Sequence, residues 1–273
     1  MRSSERTALY TYPREAGWTR TTYRPSTLNR QPPTRWAGGT VAAIGFQDTP
    51  LEAIHFGGGT PTFLTAGQIR ETMDFAQRHL RIDPSAETTW ESSPETLLQA
   101  DGAKIDALLA SGVNRLNIGI QSFEAPLLRV IGRRHRGADA VRGFELARDK
   151  GFRNVNIDLI YGLPDQRMRQ WEHTLDMVGE LRPDSVTAYH LRVKPGTPIS
   201  RLDHSRFPGE GRCRQMGCLM LDRLEELGYE PWQPNQFVRS GEHAHRYLKS
   251  KWESPVEVLG IGVSSYSFVG NWM

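Results

Sequence analysis

Apolar and polar positions along this chain fall into short runs that switch between a period near two and a period near 3.6. From about residue 50 onward, Leu51–Phe56 (LEAIHF), Thr88–Glu91, Arg115–Gln121 (RLNIGIQ), Asn154–Ile160 (NVNIDLI) and Ser185–Leu191 read as strands. Between them, helical spacing of apolar residues predicts helices over Thr65–Leu80, from Pro94 or Glu95 to Ala110, over 124–131 and 138–150, near 167–181 and over 211–227. Strands separated by helices need crossover connections, and crossovers lay the strands parallel in one sheet. Because such crossovers are right-handed, the architecture narrows to an α/β barrel or an open doubly wound sheet.

The first 40 residues do not follow the pattern. They carry seven arginines, eight threonines and four prolines, with Glu5 and Glu15 as their only acids. Pro32-Pro33 and Gly38-Gly39 interrupt a stretch without apolar periodicity, so it reads as irregular, with one candidate strand in Ala8–Pro13 (ALYTYP).

Composition removes several classes of function. With 273 residues, 38% hydrophobic and 24% charged, the chain is long enough to bury a sizeable core. A net charge of +3 gives no argument for a nucleic-acid partner or a membrane surface. No apolar run approaches the roughly 20 residues of a membrane span, and MRSSERTALYTYPRE has no apolar signal core, so the default location is cytoplasmic. Two cysteines, Cys213 and Cys218, make neither a disulfide framework nor a three-thiolate iron–sulfur site. They read as partly buried thiols on one helix, at a spacing that does not share a face.

In a parallel α/β fold the C-terminal strand ends line the functional site. Here those ends carry Gly57–Thr60, Glu91, Gln121, Asp158 and the Tyr189-His190 region. A glycine triplet admits a ligand close to the backbone, or simply makes a tight turn. Glu91 is a site carboxylate or a solvated loop acid, and Gln121 a ligand contact or a satisfied structural amide. Asp158 sits in an otherwise apolar strand, where a charge is costly unless paired with a ligand or an arginine.

Taken in order, IHFGGGTPTFL (54–64), WESSPETL (90–97), GVNRLNIGIQSF (112–123), IGRRH (131–135) and NIDLIYGLPDQ (156–166) resemble successive motifs of radical S-adenosylmethionine enzymes. The similar group is that of the oxygen-independent coproporphyrinogen III oxidases with their haem-chaperone and C-methyltransferase relatives. TAYHLRVKPGTP (187–198) and LGIGVSSYSFVGNW (259–272) fit the same group, so the resemblance covers about residues 50–272. It implies a partial (β/α)6 barrel with parallel strands, and S-adenosyl-L-methionine as cofactor. By position in the motifs, Gly58, Gly59 and Thr60 would take its amino group. Glu91, Gln121, Arg133 and Asp158 would complete the pocket, with Arg134 competing with Arg133 and His135 as its solvated neighbour. Arg133 can oppose a carboxylate through its rigid fork, and the two acids can accept from ammonium or ribose groups.

The family's CxxxCxxC loop, which ligates a [4Fe–4S] cluster, is missing: the equivalent segment reads REAGWTRTTYRPSTLNR. The resemblance therefore implies radical oxidation or methylation of a porphyrin-like or aromatic small molecule as ancestral chemistry. A flavodoxin or ferredoxin would be electron donor to an active form, and the present sequence lacks a seat for the cluster. The competing readings are a cluster-free binding protein for S-adenosylmethionine or haem, with His55, His190, His243 and His245 as haem-ligand candidates, and a truncated or frameshifted fragment. The expected organisation is an irregular segment over 1–45, a partial barrel over 46–228, and the start of a C-terminal extension, apparently truncated, over 229–273.

Overall fold

The computed structural model describes residues 7–9, 49–253, 257–262, 265 and 267. Most of the expected irregular segment, most of the candidate strand at Ala8–Pro13 and half of GVSSYS (262–267) lie outside the described residues. Two compact units divide the chain. One comprises Met1–Gly59, Gly67–Thr88 and His245–Met273, the other Thr60–Ala66 and Thr89–Ala244.

The second unit is built on strands β3 (Ile82–Ser92, its end from Thr89 onward), β4 (Arg115–Gln121), β5 (Val155–Tyr161) and β6 (Ser185–His190). These four run parallel in sequence order. Helices α2 (Pro94–Leu97), α3 (Ala103–Ala110), α4 (Ala125–Val130), α5 (Gly137–Asp149), α6 (Met168–Leu181) and α7 (Glu210–Glu226) connect or follow them. Alternation sorts the faces. Leu116, Ile118, Ile120, Val155, Ile157, Leu159, Val186 and Ala188 are fully buried, with Leu97, Leu108, Leu128, Leu175, Val178 and Leu224 equally buried on the helices. The other face carries Glu91, Asn117, Gly119, Asn156, Asp158, Ser185 and Thr187, and the register puts them in two rows. Glu91, Asn117, Asn156 and Ser185 stand abreast, and Gly119, Asp158 and Thr187 stand abreast one step further along.

Local chemistry sets the helix starts. Ser93 precedes Pro94 at the first position of α2, and Thr96 Oγ1 returns a bond to the Ser93 carbonyl at 2.8 Å. Asp139 accepts from the Arg136 amide at 2.9 Å, and Gln170 from the Arg167 amide at 2.9 Å, at the starts of α5 and α6. Trp171 on α6 is fully buried and donates to the Met216 carbonyl of α7 at 2.9 Å.

The first unit has strands β1 (Thr7–Leu9), β2 (Leu51–Phe56) and β9 (Glu257–Leu259), with β1 parallel to both neighbours. Helices α1 (Ala66–His79, from Gly67 onward in this unit) and α8 (Arg246–Glu253) accompany them. One cluster packs Leu51, Ile54, Ala76, Leu80 and Leu259; another packs Ala53, Tyr247 and Val258. No helix among the described residues is long and apolar enough to cross a membrane.

Three elements differ from the sequence expectation. The strand placed at Thr88–Glu91 begins at Ile82, because the turn-forming Asp83-Pro84-Ser85, whose Asp83 carboxylate accepts from the Ser85 amide at 2.7 Å, lies inside a continuous strand. The single helix expected up to Ala110 is broken, since Ala100 and Asp101 both have φ of 49° and an intervening 3-10 turn covers Gln99–Gly102. Finally, β7 (Glu230–Gln233) and β8 (Gln236–Val238) form an antiparallel hairpin on β6, an edge no alternation announced. Its turn uses Pro234 to preset one φ and Asn235 to accept φ of 68°.

Candidate functional site

The polar face of the second unit is a connected system. Arg115, 2% exposed at the start of β4, donates to Asn154 Oδ1 at 2.9 Å, to the His243 carbonyl at 2.8 Å and to Ser185 Oγ at 2.9 Å. Ser185 and Thr187 hydroxyls donate to Asn156 Oδ1 at 3.0 and 3.1 Å, and Asn156 Nδ2 donates to Asp158 Oδ1 at 2.8 Å. Every link is a neutral or charge-assisted hydrogen bond between groups that would be costly to bury alone. The chain of bonds begins at a cation and ends at the Asp158 carboxylate, within reach of the Glu91 charge. Burial, and then the Glu91 charge, push the Asp158 carboxyl up to about 6, against the opposing bonds from Asn156 and Thr187 and the Arg115 charge.

Gly119 opens space beside that carboxylate. A Cβ on it would stand 2.9 Å from Gln121 Nε2, 3.5 Å from the Ser92 carbonyl oxygen and 3.9 Å from Arg133 Nη2. The absence of a side chain is what lets an amide and a guanidinium converge one register step from Glu91 and abreast of Asp158. Gln121 is 6% exposed and has φ of 70°. Asn117, 8% exposed, has an Oδ1 atom without a hydrogen-bond partner among the described residues. A buried acceptor of this kind, in a row with Glu91 and Asn156, is open to a donor, a feature that sequence reasoning missed.

The glycine-rich turn is divided between the units. Gly58 and Gly59 belong to the first, where Gly58 has φ of 107° and, among the described residues, nothing lies within 4 Å of a Cβ placed on Gly59. Thr60 belongs to the second unit, with φ of 66° ahead of the 3-10 turn Pro61–Phe63. That turn is tied down by Lys104, 8% exposed, whose Nζ donates to the Thr62 carbonyl at 2.6 Å and to Gln99 Oε1 at 2.7 Å. Thr62 and Thr96 hydroxyls share a further bond of 2.6 Å.

The structure thus brings Gln121 and Arg133 together around Gly119, with Asp158 and Glu91 beside them on the same face. Arg134 is exposed. His135 is not a solvated neighbour as the motif reading has it: it is 3% exposed and bonded through both ring nitrogens. The four haem-ligand candidates divide between the units. His55 stacks on Tyr247 with centroids 5.3 Å apart, near His245, in the first; His190 and His243 lie in the second. Among the described residues no group of three or more His, Cys, Asp or Glu is arranged to hold a metal ion. Cys213 is buried and Cys218 exposed, both on α7. In the NIDLIYGLPDQ motif, buried Gln166 accepts from the Gly162 and Leu163 amides at 2.7 and 3.0 Å, which makes it a turn former.

Comparison with known proteins agrees with the strand order and the motifs. The sequence profile of the radical SAM superfamily matches residues 39–178. Heme chaperone HemW of Bacillus subtilis is 32% identical over 235 residues, covering 85% of this chain and 60% of that protein. The oxygen-independent coproporphyrinogen III oxidase of Pseudomonas aeruginosa is 29% identical over 235 residues, covering 81% of this chain and 50% of that protein. The chain therefore spans 50–60% of the length of these two curated relatives. Among solved structures, coproporphyrinogen III oxidase (HemN) from Escherichia coli superposes with a TM-score of 0.74 at 23% identity, over 98% of this chain and 65% of that one. That superposition, like the parallel strands above, is the α/β partial-barrel fold inferred from the sequence.

Proposed function

Since the chain belongs to the radical SAM superfamily, we propose that it binds S-adenosylmethionine on the polar face of its second unit. The observation that carries this reading is the convergence of Gln121 and Arg133 at Gly119, abreast of Asp158. The donor set suits a ligand with a carboxylate, an ammonium and ribose hydroxyls. Arg133 opposes the carboxylate, Gln121 both donates and accepts, and Glu91, Asp158 and Asn117 Oδ1 accept from ammonium or hydroxyl groups. Thr60, which belongs to the same unit, carries over from the motif as a partner of the amino group.

A cluster does not fit the residues present. Two thiols on one helix cannot supply three thiolates. Burial also raises the Cys213 thiol, which donates to the Pro208 carbonyl at 3.4 Å. The chain is read as a holder of S-adenosylmethionine whose 273 residues provide no thiolate seat for the reductive cleavage on which its family's radical oxidations and methylations depend. The names of the relatives support a tetrapyrrole, or a similar aromatic molecule, as the second ligand class.

Isothermal titration of the full chain with S-adenosylmethionine tests the reading. Arg133→Ala and Gln121→Ala are each expected to weaken binding by about tenfold to a hundredfold, as loss of a hydrogen bond to a charged ligand group does. A wild-type chain that takes up no ligand, or variants that bind as well as wild type, would overturn it.

A further inference from the structure

Gln121 and Arg133 stand on backbone that something has to hold. The Ser122 amide donates to the Ile120 carbonyl at 2.9 Å, closing a three-residue turn around Gln121 at φ of 70°. A γ-turn of this hand is rare and strained, and such a conformation persists only where its surroundings over-determine it. Arg133 lies in the loop between α4 and α5, with its amide bonded to the Leu128 carbonyl at 2.9 Å. Nothing in that amide bond relates the arginine to the γ-turn.

His135 does. Two residues beyond Arg133, its ring is buried at 3% exposure. Nε2 donates to the Ile120 carbonyl at 3.0 Å, so that one oxygen takes both the ring proton and the Ser122 amide. Nδ1 meets Glu95 Oε2 at 3.1 Å, in the first turn of α2. Both ring nitrogens therefore face acceptors. Burial alone would raise the Glu95 carboxyl, but the His135 bond, its own backbone amide and Ser93 outweigh it and hold that group near 2. The pair is thus made of a buried ring on the α4–α5 loop and an ionised carboxylate on α2.

We propose that His135 is a positioning residue of the ligand pocket: it clamps the Gln121 γ-turn and the Arg133 loop to the start of α2, so that amide and guanidinium converge at Gly119. The proposal rests on the reading that these two groups bind S-adenosylmethionine. A histidine that merely filled space here would affect stability without singling out these two residues.

Two substitutions separate the arms. His135→Gln places an amide donor where Nε2 stands and keeps the Ile120 bond; His135→Asn reaches only as far as Nδ1 and loses it. On the full chain, amide hydrogen exchange and titration with S-adenosylmethionine are read for each. His135→Asn is expected to speed exchange at Ser122 and Arg133 and to weaken binding about tenfold or more. His135→Gln should restore both to within about threefold of wild type. Once Gln121 and Arg133 are both alanine, His135→Asn should weaken residual binding by no more than about twofold. Should His135→Asn not fold, His135→Met, which fills similar space but offers no donor to the Ile120 carbonyl, carries the same expectations. An Asn variant that exchanges and binds as wild type, a Gln variant as impaired as Asn, or strictly additive losses would each overturn the clamp. If the wild-type chain binds no S-adenosylmethionine, the functional reading falls and exchange at Ser122 and Arg133 decides the clamp alone.

Discussion

Asp158 shows how one side chain ties folding to ligand chemistry. Its carboxyl is held at about 6, against 3.8 in the unfolded chain, so between those values the folded state holds the extra proton. The group therefore opposes unfolding most below about pH 4, and that advantage fades as pH rises through the folded value. A displacement of that size corresponds to about 3 kcal/mol. Asp158→Asn keeps an oxygen for the Asn156 amide and removes the charge. The expected result is a stability, measured by urea unfolding, that no longer falls between pH 4 and 6 and exceeds wild type at pH 7 by about 2–3 kcal/mol. An unchanged pH slope would show that Asp158 does not titrate there. The same substitution should weaken binding of a cationic or hydroxyl-bearing ligand. That Asp158 is exceptional was legible in the sequence, as an acid in an apolar strand. The role of His135 was not, because its partners Glu95 and Ile120 lie 40 and 15 positions away and a lone histidine carries no periodicity.

At the scale of elements, period-two and period-3.6 patterns were enough for β2 and β4, whose bounds agree with the expectation, and for the placing of α1, α5, α6 and α7. The patterns failed where backbone conformation departed from what residue type implies. Ala100 interrupts the expected helix at φ of 49°, a left-handed conformation that costs a non-glycine residue about 1–2 kcal/mol. Alanine gives no warning of this, since it is the best helix former. The break is useful: it lets Lys104 on α3 reach back to the Thr62 carbonyl and to Gln99, and so hold the turn that follows Thr60. Ala100→Gly should relieve the strain and stabilise the chain by about 1 kcal/mol, whereas glycine inside a regular helix costs about that much. A fall in the unfolding midpoint would mean that residues 99–102 are helical after all.

For the whole molecule, the question is how the proposed cofactor pocket and a cysteine count can disagree. Of the residues proposed for it, Glu91, Gln121 and Asp158 lie on β3, β4 and β5, where the parallel strand order makes them neighbours, and Arg133 lies on the α4–α5 loop. The strand positions follow from hydrophobic patterning. Cluster ligation does not follow from patterning, because it rests on three thiolates at fixed spacing. The only thiols in the chain, Cys213 and Cys218, sit on α7, one of them buried with its Sγ committed to the Pro208 carbonyl. Ligand binding and cluster binding should therefore separate cleanly. After anaerobic reconstitution with iron and sulfide, the chain is expected to retain no cluster iron, to show no charge-transfer absorbance, and to leave S-adenosylmethionine uncleaved under dithionite. Titration of the same sample should still report binding, and Cys213→Ser with Cys218→Ser should change neither result. Stoichiometric iron with turnover to 5′-deoxyadenosine would require cluster ligands other than these thiols, and the reading of the chain as a holder rather than a cleaver would then be abandoned.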